Sequence, residues 1–161
     1  MKLDLAIAET HAAERELGEE LLRLGERHRA DHDVYHLGRT LSAFCDEHVA
    51  ALAEQGERHG ASLDARPAQD GPRPLEAARE KGAELMGRRP EPALLLLRDL
   101  RELHLLACRA SISWTILGQG AQAARDGDLL DVVARCHPRT LRTLRWTTTK
   151  IKESAPQVLT S

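Results

Sequence analysis

The chain has 161 residues, 42% apolar and 30% charged, long enough to bury the core of one domain and too apolar for a disordered segment. Its net charge is −2, from 23 basic and 25 acidic side chains, so neither nucleic acid nor an anionic membrane surface is expected as a partner. Aromatic residues make up 2% of the chain, and the apolar positions are filled by Leu and Ala rather than by strand-forming residues, which points to an all-α fold.

Charges break the apolar run of the N-terminus within Met1-Lys2-Leu3-Asp4-Leu5, so no secretory signal is read there. The longest unbroken apolar stretch, Ala93 to Leu97, is far too short for a membrane span. Cys45, Cys108 and Cys136 are far apart and lack zinc-finger spacing. They read as small core residues of a protein in the reducing cytoplasm.

Helix 1 is expected over about 3–29, with Leu3, Ile7, Thr10, Glu14, Leu17, Leu21 and Leu24 facing inward at steps of three and four. Helix 2 is expected over about 33–59, with Val34, Leu37, Leu41, Phe44, His48, Leu52 and Gln55 inward. No Gly or Pro separates the two. The stripe shifts phase by about one residue across Arg29-Ala30-Asp31-His32-Asp33, however, and a tight turn resets phase where an unbroken helix would not. Asp31 and Asp33 are the candidate N-caps.

Gly60, Pro67, Gly71, Pro72 and Pro74 then mark a linker, in which 75–86 reads as a short extra helix closed by Gly87. Helix 3 follows over about 93–125, with Leu97, Leu100, His104, Ala107, Ser111, Trp114, Leu117 and Ala121 inward. A turn with an N-cap at Asp126-Gly127-Asp128 leads to helix 4, over about 128–153. Its inward set is Leu130, Val133, His137, Leu141, Leu144, Thr148 and Ile151. Pro138 is expected to kink or divide that helix, and 154–161 to fray.

These elements describe one domain over 1–161, an all-α four-helix antiparallel bundle of two helical hairpins joined by a long connection. A connection of that length can carry the chain back along the bundle, giving a single crossover. The layout resembles the ferritin-like superfamily of four-helix bundles, a resemblance of architecture that covers nearly the whole chain. It implies the crossover fold and, in the family's di-iron members, a centre built from Glu residues and paired Glu-x-x-His motifs. The chain departs from that signature. Glu47 and His48 are adjacent, Glu102 stands two residues before His104, and no Glu stands near His137.

Polar residues on otherwise apolar stripes are the candidate site. With a turn near residue 31, facing positions on helices 1 and 2 sum to about 62, which sets Glu14 level with His48. With a crossover, His104 falls within about 6 Å of that height. Thr10, His11 and Thr148 lie nearby, and Thr147 and Thr148 are level with His104. His137 faces about Leu117 and stands apart.

Glu14, His48 and His104 admit two readings. One is a hydrogen-bonded Glu/His layer that fixes register in a binding or structural module. The other is a metal centre for Fe, Mn or Zn, since two imidazoles and a carboxylate suit such ions, in a redox or oxygen-handling protein.

His28, His32 and His36 flank the first turn and read as exposed residues of it. Arg135, Arg139, Arg142, Arg145, Lys150 and Lys152 form a basic strip that is solvated or pairs between subunits of a homo-oligomer. Trp114 and Trp146 are expected on facing helices at similar heights.

Overall fold

The computed structural model describes residues 2–67 and 91–161; the short helix expected over 75–86 lies outside the described residues. Among those described, the chain forms four helices and no strand: α1 Leu3–Arg27, α2 His32–Arg58, α3 Pro92–Ala124 and α4 Gly127–Thr160. None is long and apolar enough to cross a membrane.

Local chemistry sets the ends. Asp31 caps α2, its carboxylate accepting from the Val34 N–H at 3.2 Å, and Asp126 caps α4 through the Leu129 N–H at 3.1 Å. Pro92 opens α3, where its missing N–H costs nothing. The tight connection to α4 is made by Arg125 in the left-handed region (φ 56°), with Gly127 already helical.

The contacts between helices follow a consistent numbering. On α1 and α2, Gly25 approaches Gly38, Gly18 meets Ser42 and Glu14 meets His48, so numbers rise on one helix as they fall on the other. The same holds for α1 and α3 (Arg27 with Asp99, Arg109 with Glu16), for α3 and α4 (His104 with Thr147, Ser111 with His137), and for α2 and α4 (Lys150 with Asp31, His59 with Asp126). Each helix therefore packs on two neighbours, α1 on α2 and α3, and α4 on α3 and α2.

α1 and α2 approach closely at Gly38. A Cβ built on Gly38 would stand 2.8 Å from the Leu21 carbonyl oxygen, and Ser42 Oγ donates across the gap to the Gly18 carbonyl at 3.0 Å.

The core falls into two clusters. One gathers Leu17, Leu21, Leu24, Leu41, Leu100 and Leu103; the other gathers Ile7, Leu52, Trp114, Leu117, Leu129 and Val132. Trp146 packs on the first and Trp114 belongs to the second, so the tryptophans are not at similar heights as expected.

All seven expected inward residues of α1 are buried. On α4 the buried face is Leu129, Val132, Cys136, Thr140, Thr143 and Thr147, one residue out of phase with the expected stripe, and Leu141 is 39% exposed. Beyond Val132 the inner face of α4 is cysteine and threonine, which an apolar pattern does not mark.

α4 is not divided at Pro138, and it continues to Thr160 where fraying was expected over 154–161. Ala134, whose carbonyl Pro138 cannot satisfy, is exposed, so water can take the missing donor's place.

Candidate functional site

Between the two core clusters lies a buried carboxylate. Glu14 occupies an inward position of α1 where leucines precede and follow the pattern, and it is 0% exposed. A charge there requires donors, and each of the other helices supplies one. His48 on α2, 1% exposed, donates from Nδ1 to Oε2 at 2.9 Å. Trp114 on α3 donates its indole N–H to Oε1 at 2.6 Å, and Thr140 on α4 donates its hydroxyl to the same oxygen at 2.5 Å. The His48 and Trp114 rings meet edge to face, 5.8 Å between centroids.

Burial by itself would raise the Glu14 pKa. The hydrogen bond and charge of His48, with the bonds from Thr140 and Trp114, outweigh it and hold the carboxyl below its ordinary value, so it is ionised at neutral pH. The Cys45 thiol is pushed up, first by burial and then by the Glu14 charge and a hydrogen bond to it, and stays protonated. Burial also raises the Cys136 thiol.

Of the residues expected at the site, Glu14 and His48 meet and His104 does not join them. His104 is only half-buried, because Leu103 takes the inward position beside it. Its Nδ1 lies 2.8 Å from Thr147 Oγ1, whose own hydrogen goes to the Leu144 carbonyl, so His104 is the donor.

The nearby residues are likewise engaged elsewhere. Thr10 donates to the Ala6 carbonyl, Thr148 to the Leu144 carbonyl, and His11 Nε2 to the Asp64 carbonyl at 2.7 Å. Among the described residues, no group of three or more His, Cys, Asp and Glu side chains is arranged to hold a metal ion. Glu14, with both oxygens engaged, and His104, turned to Thr147, do not fit a shared ion as placed. One polar atom stands out: Nε2 of His48 is buried and has no hydrogen-bond partner among the described residues.

Trp114 and Thr140 were missed as donors. Trp114 reads in sequence only as an inward residue of helix 3, and Thr140 falls off the stripe expected for helix 4. The spacing Cys136, Thr140, Thr143, Thr147 was the available signal, a small-polar stripe at helical steps that suits the face opposite a buried charge.

His137 meets Ser111 rather than Leu117, Oγ to Nε2 at 2.9 Å, and burial lowers its pKa. His28 is not an exposed turn residue. With Arg27 it binds Asp99 Oδ2, at 2.8 and 2.9 Å, tying the end of α1 to the start of α3. His32 and His36 are exposed and stack on each other. The basic strip is partly spent within the chain. Arg139 pairs with Glu47 and lies over the Phe44 ring, and Lys150 reaches Asp31 at 3.0 Å.

No protein-family model matches the chain, and no curated protein and no solved structure matches it either.

Proposed function

We propose that this chain is a ferritin-like helical-bundle module, two antiparallel hairpins joined by one crossover, that acts as a binding or structural unit and not through chemistry at its buried carboxylate. The opposed numbering between neighbouring helices supports that topology. Three unpaired thiols suit a cytoplasmic setting.

The observation that carries the functional reading is the engagement of Glu14. Both of its oxygens are taken by donors from the three other helices. A carboxylate so placed fixes the register of four helices against one another, the best-attested use of a buried polar group. It is a poor acid, base or ligand, because using it for chemistry would strip buried donors of their acceptor.

A second reading is favoured by His48 Nε2. A buried imidazole nitrogen without a partner suits a first-row ion (Fe, Mn or Zn), and a metal-dependent redox protein would bind it at His48 Nε2, with Glu14 orienting the ring through Nδ1 and His104 turning away from Thr147 to join it. Elemental analysis of tag-free protein, wild type and His48→Ala, separates the two. The module reading expects no stoichiometric metal in either. Stoichiometric metal in the wild type, lost in His48→Ala, would overturn it.

A further inference from the structure

α3 is apolar on its inner side and carries a second apolar stripe on its outer side, interrupted by the exposed Arg98 and Arg101. Its inner side carries Leu100, Leu103, Trp114 and Leu117, all fully buried, while Leu94, Leu105, Ile112 and Ile116 are 45%, 52%, 61% and 55% exposed. At about 100° per residue, the four exposed residues fall within about 40° of one another around the axis and span about 33 Å along it. α3 is also the most apolar of the four helices and the least divided into an apolar and a polar side. Four large apolar side chains in one line mark a face that is normally covered, and here it has no covering among the described residues.

We infer that the outer face of α3 is the interface of a twofold dimer of this chain, with Leu105 on the symmetry axis. The face is self-complementary, as such an interface requires. When two copies of α3 pack antiparallel about Leu105, position n faces about position 210 − n of the second copy. Leu94 then packs on Ile116 of the other copy, Leu105 on itself, and Ile112 on the aliphatic stem of Arg98. Glu102 and Arg109 lie on the same flank of the stripe and their numbers sum to 211, so each Glu102 comes within about one residue, about 1.5 Å along the axis, of the other copy's Arg109, and the pair forms twice. Glu16 of the same chain holds Arg109 at 2.6 Å, and the guanidinium keeps further N–H donors for Glu102.

Neighbouring registers lack this match. An axis at Arg101 sets that arginine against itself. An axis at Ile112 places Leu94 beyond the end of the facing helix and separates Glu102 from Arg109. Charge and apolar pattern thus select one register and one occupant, a second copy. The inference is independent of the buried carboxylate.

Sedimentation equilibrium of the full chain tests it. The expected species is a dimer, twice the 17.8 kDa chain. Leu105→Glu sets two like charges on the axis and is expected to raise the dimer Kd by about 100-fold or more. Its helical circular dichroism should not change, since the side chain is already exposed. Ile112→Ser, a milder change, should weaken the dimer in the same direction. Glu102→Arg and Arg109→Glu should each weaken it, and together restore it.

A monomer at every concentration, a dimer indifferent to Leu105→Glu and Ile112→Ser, or a double charge swap weaker than either single would overturn the inference. So would a chain that stays monomeric and binds anionic phosphatidylserine vesicles through this face.

Discussion

Glu14 stands where a leucine would complete the α1 stripe, and its charge is tolerated because His48, Trp114, Thr140 and Cys45 surround it with donors. Taking the carboxylate away leaves those donors unanswered in a dry place. Glu14→Ala is therefore expected to lower the unfolding free energy by about 3–5 kcal/mol, measured by urea denaturation. Glu14→Gln keeps an oxygen for Trp114 and Thr140 and should cost less than Glu14→Ala.

The pH dependence has a definite sign. The folded-state pKa of Glu14 lies below its ordinary 4.5, and that of Asp99 lies below its ordinary 3.8 despite burial, because His28 and Arg27 bind it. Each contribution is whole above the ordinary value and is lost as pH falls through the folded one. The wild-type urea midpoint should therefore fall between about pH 6 and pH 3 by more than that of Glu14→Gln. Parallel slopes would count against an ionised Glu14.

How much of this was legible differs from residue to residue. Glu14 and His48 were visible because a charge and an imidazole interrupt clear apolar stripes at matching heights. Trp114 and Thr140 were not. An indole N–H gives no periodic signal, and a threonine hydroxyl on a helix most often returns to its own backbone, as Thr10 and Thr148 do here.

At the scale of elements, legibility followed the density of leucine. α1 was read correctly at all seven inward positions because its polar face is almost wholly charged. α4 was read one residue out of phase, since Leu130, Leu141 and Leu144 lie at the margin of the interface and the innermost residues from Cys136 onward are small and polar. The same shift hid Thr140. His104 failed for a related reason: Leu103 beside it competes for the same inward position and is the more apolar of the two.

The α1–α2 contact offers an element-scale prediction. Gly38→Ala gains about 1 kcal/mol of helix propensity, yet its methyl would meet the Leu21 carbonyl, which is backbone and cannot move aside. The expected net effect is a loss of about 1–2 kcal/mol, seen as a lower urea midpoint. A stabilised Gly38→Ala protein would mean that the two helices are not so close.

For the whole molecule, the carboxylate is the join between two core clusters and among four helices. Leucine and alanine supply the stabilisation on either side of it, at about 2–5 kcal/mol for each buried leucine truncated to alanine. Such cores are permissive about register, since one leucine packs much like the next. The Glu14 bonds are not, because each needs its donor at one height on one face. α1 and α4 are not packing neighbours, so the Glu14–Thr140 bond crosses the bundle.

The cross-bundle bond is tested most directly by a double-mutant cycle in urea unfolding. Thr140→Val keeps the shape and removes the hydroxyl. It should cost about 1.5–3 kcal/mol in the wild-type background and close to nothing in Glu14→Ala, where no carboxylate remains to accept. An equal cost in both backgrounds would show that hydroxyl and carboxylate do not interact, and would contradict the carboxylate's role as the tie between the helices.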